Sequence, residues 1–261
     1  MKWIGILVFA LTAAAQERVI FNVEPKQEFL FEPRIVTGAP YSAQAVTETT
    51  QVLPDGNRIT RKSSSLIARD SQGRTRREQN LNSVGPWASP EDGAFVSIDD
   101  PVAGARYTLI KNSKSAIKFA FNPAQIQERR EAERKLKQAA RSKEQAERGG
   151  GQLAIASEPK TAVATELLGT RMIEGIPAEG KRVTETIPAG KIGNEKPIEV
   201  INETWYSSEL QTVVMSKHSD PRSGDVVYTL TNILRAEPDA SLFVVPQDYK
   251  IKDEGSLKVR E

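Results

Sequence analysis

The stretch AQAVTETTQVLPDGNRITRKSSSLIARDSQGRTRREQ, residues 43–79, decides the fold class. Its Thr-, Val- and Ile-containing runs are cut by turn chemistry at Pro54-Asp55-Gly56-Asn57 and again at Asp70-Ser71-Gln72-Gly73. Gly and Asn tolerate the positive φ of tight turns, and Asp and Ser side chains bond back to nearby backbone. Ala43–Leu53, Arg58–Ala68 and Arg74–Gln79 therefore read as an antiparallel meander. Arg61, Ser63 and Ser65 alternate with Lys62 and Ser64, so both sides are polar and the turns must fix the register.

Three more strands follow at Ala94–Asp99, Arg106–Lys111 and Ala116–Phe121. Val96 with Ile98, Tyr107 with Leu109, and Ile117 with Phe119 and Phe121 read as inward sets against outward Ser97, Arg106 and Lys118. The pattern resumes at Ala162–Ile173, Lys181–Ile187, Ile198–Tyr206, Leu210–Lys217 and Asp225–Leu234, with turns placed at Ile176–Gly180, Pro188–Gly190 and Asp220–Gly224. Ile198, Val200 and Tyr206 share one side of their strand, Ile201 and Trp205 the other. With residues 16–42 as an extended lead-in broken by Pro25, Pro33 and Pro40, about ten or eleven strands make the chain mainly β.

One helix interrupts the strands. Asn122 reads as its cap, Pro123 as its first residue, and Gly149-Gly150-Gly151 as its stop. Residues 123–148 hold eight Lys or Arg and five Glu, but their only larger apolar residues are Ile126 and Leu136. Pairs such as Glu131 with Lys135 contribute about 0.2–0.5 kcal/mol each, which cannot hold the helix against a body. A solvated charged helix is expected, followed by a flexible Gly-rich linker, so that residues 123–161 interrupt the sheet domain.

Lys2 precedes the uncharged run Trp3–Ala15, which ends in Ala13-Ala14-Ala15 before polar Gln16. That is the pattern of a signal peptide over residues 1–15, too short to span a bilayer, and it places the chain in the periplasm or outside the cell. No comparable apolar run occurs later, so no transmembrane segment is expected. Among the 261 residues there is no Cys and one His, and the net charge is +2. Disulfides, thiol catalysis and Cys-based zinc sites are excluded, and His-based catalysis has little to work with.

No motif defines catalytic, cofactor-binding or metal-ligating residues. His218 in Lys217-His218-Ser219-Asp220-Pro221 reads as a turn histidine, because a triad draws its members from separate elements. Asp99-Asp100, Asp220 with Asp225, and Asp248 with Asp253 lack the dense spacing of a calcium loop. Arg58–Arg77 carries seven Lys or Arg against Asp70, yet no aromatic residue lies between Tyr41 and Trp87 to stack on bases. That stretch reads as a solvated sheet edge, and no nucleic-acid partner is expected. Trp205, Tyr206, Tyr228, Phe243 and Tyr249 form the densest aromatic group and read as core and closing contacts, with Leu242-Phe243 packing across the sheet.

The segments Leu168-Gly169-Thr170-Arg171-x-Ile173-Glu174-Gly175, Glu203-Thr204-Trp205-Tyr206-Ser207, Tyr228-x-Leu230-Thr231-Asn232-Ile233 and Pro238-Asp239-Ala240-Ser241-Leu242-Phe243-x-x-Pro246-x-x-Tyr249 resemble a group of exported bacterial proteins of unknown function. Their order over residues 163–251 is also similar to the half-barrel of the periplasmic lipoprotein-localisation factors, the LolA/LolB-like fold, which residues 43–121 fit more loosely. The resemblance implies a single curled antiparallel sheet over residues 43–251, with a tail at 252–261. It also implies a concave face able to hold acyl chains or another apolar ligand.

The expectation is thus an exported, monomeric, non-catalytic binding protein without cofactor, partnered by a lipid-like ligand or an envelope protein. The alternative is a structural or protein-interaction module of the cell envelope with no small-molecule site.

Overall fold

The twelve strands run β1 (Tyr41–Val52), β2 (Arg58–Arg69), β3 (Thr75–Asn80), β4 (Ala94–Asp100), β5 (Ala105–Ile110), β6 (Ser115–Ala120), β7 (Ala162–Ile173), β8 (Ile176–Ile187), β9 (Ile198–Ser207), β10 (Thr212–Asp220), β11 (Gly224–Leu234) and β12 (Lys250–Asp253), with α1 (Pro123–Arg148) between β6 and β7. This computed structural model describes residues 35–80, 94–148 and 161–254. The expected signal peptide, most of the lead-in, the 81–93 loop and most of the Gly-rich linker lie outside the described residues. Those described belong to one unit, Pro33–Glu261.

All strands join one open sheet in the order β12-β6-β5-β4-β3-β2-β1-β11-β10-β9-β8-β7. Among the described residues the chain is mainly β with one α-helix, as the sequence indicates, and the sheet is curled and half-barrel-like. β1 and β11 pair over Thr47↔Tyr228 and Ala45↔Leu230, joining the two halves of the sequence. β12 departs from the antiparallel pattern by pairing with β6 in parallel, Ile251 opposite Ala116.

The register separates two sides. Side chains that skip strands show which is inner: on one side Arg77 of β3 hydrogen-bonds Tyr228 of β11, with β2 and β1 lying between. On that side too, Tyr41 of β1 reaches Thr212 of β10 over β11, and the Arg69 guanidinium of β2 donates to the Leu210 carbonyl between β9 and β10. In a flat sheet neighbouring strands lie about 4.8 Å apart and side chains stand apart; on the concave side of a curl they converge. Ala43 and Ala45, buried between the long side chains, leave room for them to meet.

Each side has a core. Tyr41, Ala43, Ala45, Ile67, Val200, Val214, Tyr228 and Leu230 are buried on the inner side. On the outer side Ala68, Val96, Ile98, Leu109 and Ala116 pack under Phe243 of the 3-10 turn Ala240–Phe243, with Leu242, Val245 and Tyr249 around it. Arg76 donates to the Leu242 carbonyl at 3.0 Å, and the Arg74 guanidinium lies 5.2 Å from the Phe243 ring centre. The closing role read for Leu242-Phe243 is what the structure shows.

Three sequence readings need correction. Leu109 pairs with Ala116 and Thr108 with Ile117, so Ile117 and Phe119 point opposite to Val96, Ile98, Tyr107 and Leu109. Alternation in each strand suggests one common core, whereas β4–β6 have an apolar set on each side. The β7–β8 turn is Glu174-Gly175, with φ of 48° and 76°, and not Ile176–Gly180. Paired positive φ is the hairpin geometry that matches strand twist, and Ile176-Pro177-Ala178 runs on as strand. Third, the basic run is a sheet edge only in part: Arg58–Ser64 pair with β1 and have no described partner on their other side, whereas from Ser65 onward β2 and β3 are interior strands.

Every described side chain of α1 is exposed, including all of 131–140. Replacing Pro123–Arg148 with a short Gly-Ser linker is expected to leave the melting temperature within about 2 °C, since little buried area is removed. A drop of more than about 5 °C in differential scanning calorimetry would mean that the helix is docked.

Candidate functional site on the inner side of the sheet

The inner side brings together residues far apart in sequence. Arg69 is 6% exposed; its guanidinium donates to the Ala39 carbonyl at 3.0 and 2.8 Å, donates to the Leu210 carbonyl, and lies 4.8 Å from the Tyr41 ring centre. Burial lowers the proton affinity of Arg69 and Arg77 while both keep their charge at neutral pH, and it pushes the Tyr41 and Tyr228 hydroxyls up. On β4–β6 the same side is mixed, with apolar residues among Ser97, Thr108, Ser115 and the Asp99–Arg106 pair. Phe95, Ile117 and Phe119 are half-buried there, and Ile110, opposite Phe95, is 41% exposed.

The outer side holds a different feature, a groove of about 640 Å³ over β1, β2 and β11. Among the described residues Gln44, Glu48, Lys62, Ser63, Ser64, Thr229 and Thr231 line it together with Val46 and Val227.

The residues weighed from the sequence are dispersed. His218 lies within β10, paired with Val226 and Asn202, and not in a turn as read from the sequence; its Nδ1 lies 2.7 Å from the Asn202 side-chain oxygen, while Ser219 donates to Asp225 at 2.6 Å, a separate pair. Asp220 is bound by Arg222, Asp99 by Arg106 and Asp248 by Lys114. Among the described residues no group of three acidic, His or Cys side chains is placed to hold a metal, and no helix is long and apolar enough to cross a membrane. The aromatic group splits: Tyr228 is inner, Phe243 and Tyr249 cover the outer core, and Trp205 lies outward against Gly180 with Arg171 3.8 Å from its ring centre. Sequence reasoning misses Arg69 and Arg77 because they belong to a basic run that reads as solvated. Their period-two spacing with Ile67 and Thr75 across the β2–β3 hairpin is the one signal that they face inward.

The ion pairs make acid the weak direction. Hydrogen bonds from Arg222 hold the Asp220 carboxyl below its ordinary value of 3.8, and Ser219 does the same for Asp225. Burial alone raises Glu78 and Glu203, but hydrogen bonds from Lys111 and Arg76, and from Trp205 and Arg182, bring both below 4.5. A carboxyl lowered on folding contributes stability above its unfolded pKa and loses it as pH falls through the folded one. Thermal scans are expected to be flat from about pH 7 to 5 and to fall steeply below about pH 4. A melting temperature unchanged at about pH 3 would refute these pairs.

No family model matches the sequence, and no curated protein matches it. Solved structures do. An uncharacterised conserved protein from Thermus thermophilus is 8% identical with a TM-score of 0.39 over 82% of this chain and 90% of that one. The Pseudomonas aeruginosa MucA/MucB complex gives 11% identity and a TM-score of 0.40 over 82% of this chain and 58% of that one. A LolA superfamily protein from Nitrosomonas europaea gives 7% identity and a TM-score of 0.28 over 83% and 93%. The likeness named from the sequence recurs among them, but at such scores it says nothing about function.

Proposed function

We propose that this chain is an exported, non-catalytic binding protein that holds an apolar, acyl-chain-bearing ligand against the inner side of its sheet. One observation carries the reading. β4–β6 carry apolar residues on each side, and exposed apolar surface gains by being covered. The outer set lies under Phe243, whereas the inner set of Phe95, Ile110, Ile117 and Phe119 is only partly covered. At about 0.8 kcal/mol per buried CH₂, a twelve-carbon chain gains about 9 kcal/mol, from which association costs of several kcal/mol are deducted. Sub-millimolar affinity, about 0.1–1 mM, follows.

Titration with a dansylated fatty acid tests this. Saturable one-to-one binding is expected, weakened at least about tenfold by Phe119→Asp and left intact by Val46→Asp in the outer groove. Absence of saturable binding, or loss through Val46→Asp instead, would overturn the reading.

A second reading, a protein-interaction module without a small-molecule site, is favoured by the edge strand β7. Val163, Leu167 and Met172 stand out on it at 65%, 81% and 65% exposure, and an unpaired strand edge can accept a partner's strand. Failure of the fatty-acid titration leaves this reading in place.

A further inference from the structure

We infer that the outer edge of β7 pairs with β7 of a second copy of this chain, antiparallel about a two-fold axis, in the register that sets Glu166 opposite Arg171 of that copy. The inference takes the edge named in the second reading and gives it one partner. It does not depend on the acyl-ligand reading, which concerns β4–β6.

It starts from the contrast between the two ends of the sheet. β12 closes one end with four residues, Lys250-Ile251-Lys252-Asp253. Short strands bearing lysine are a common way to keep a sheet edge from recruiting another. β7 closes the other end with twelve residues, AVATELLGTRMI, which include no Lys and no Pro. Among the described residues no strand pairs with its outer edge. Every second residue of such an edge turns its N–H and C=O away from the sheet, and the exposed Leu167 and Met172 stand beside them.

The register follows from matching sides. A two-fold axis normal to the sheet keeps the inner side of each copy inner, and directly opposed residues share a side. β7 shifts its register on β8 between Leu167 and Gly169. Val163, Thr165 and Leu167 face inward opposite Glu185, Val183 and Lys181, and beyond the shift Thr170 and Met172 do so opposite Glu179 and Pro177. Inner positions thus pass from odd to even numbers along the strand. Setting Glu166 opposite Arg171 matches sides at both ends, since Thr165 then meets Met172 and Leu167 meets Thr170. A one-residue slip would set inner residues against outer ones. A two-residue slip keeps the sides but leaves both charges opposite uncharged residues.

Charge supports the same register. Glu166 and Arg171 are both outer, so the pair of strands carries two ion pairs between copies and opposes no like charges. Behind them Arg182 donates to Glu166 at 3.0 Å and to Glu203 at 3.1 Å, while Arg171 lies 3.8 Å from the Trp205 ring centre and donates to the Met215 sulfur. The inner side of β8 adds Glu179, Lys181 and Glu185. Residues 162–187 together hold four acids and three bases, so two such hairpins meet with little net repulsion. On the inner side Leu167 of each copy becomes the diagonal neighbour of Met172 of the other, within reach of long side chains.

Sedimentation equilibrium of the full chain from about 1 to about 200 µM is expected to show a reversible dimer with a Kd of about 10 µM, fitting an interface at the small end of specific ones. Leu167→Lys should weaken it at least about tenfold, whereas Leu136→Lys, which removes an exposed leucine from α1, should leave it unchanged. Glu166→Arg alone and Arg171→Glu alone each oppose like charges and should weaken self-association at least about tenfold. Mixed one to one, these two variants oppose unlike charges at both positions, and association should return to within about threefold of wild type. Should a charge variant melt more than about 5 °C below wild type, the two leucine variants decide. A chain that stays monomeric at about 200 µM overturns the inference. So does a dimer that the two leucine substitutions weaken equally or not at all, or a mixture of folded charge variants that associates no better than either alone. Each of these outcomes leaves the acyl-ligand reading to the fatty-acid titration.

Discussion

Gly224→Ala is expected to lower the melting temperature by about 5–15 °C, corresponding to about 2–5 kcal/mol for a domain of this size. Gly224 opens β11 at φ 97°, and a Cβ built there lies 2.2 Å from the Thr50 carbonyl oxygen and 3.1 Å from Gln51 Cα. Those are backbone atoms of β1, so no side chain can swing aside, and the β1–β11 pairing that joins the two halves of the sheet has to open at that end. The unfavourable φ adds about 1–2 kcal/mol. Gly190→Ala, where the added methyl meets no atom within 4 Å, separates the collision from the strain. Calorimetric melting of the two variants side by side is the check, and equal small losses would show that β1 and β11 do not approach as described.

Arg69→Met is expected to cost about 2–4 kcal/mol, or about 5–12 °C in melting temperature. The methionine keeps the apolar stem but leaves the Ala39 and Leu210 carbonyls without their donor in a buried setting. Arg69→Lys should rescue less than half of the loss, because one ammonium cannot reproduce a planar fork that spans the start of β1 and the β9–β10 connection. A methionine variant melting within about 2 °C of wild type would show that this arginine does not hold the curl closed.

How much of this is legible in the sequence depends on how local the signal is. Turn residues such as Asp55-Gly56 and Asp70 through Gly73 act within four positions, and the β1–β2–β3 meander they define is found in the structure. The Asn122-Pro123 start and the glycine stop of α1 are equally local. Which side of a strand faces which core is not. Ile117 and Phe119 alternate as a buried set should, but alternation fixes only that the two share a side. Their assignment to the inner side follows from the pairing of β6 with β5. The parallel addition of β12 depends on a return across the sheet that no turn signal announces. The inner-side arginines are hidden for the same reason: composition registers a basic run, while period two distributes it between Arg76 outward on Leu242 and Arg77 inward on Tyr228.

The central claim, that an acyl chain lies on the inner side over β4–β6, is tested most directly by paramagnetic broadening of methyl NMR signals with a doxyl-labelled fatty acid bound to the full chain. The methyls of Ile110 and Ile117 are expected to broaden strongly at saturation and to recover on competition with unlabelled ligand, while those of Ile98 and Leu109, under Phe243 on the outer side, keep their intensity. Broadening centred on Val46 and Val227 in the outer groove, or none that saturates, would contradict it.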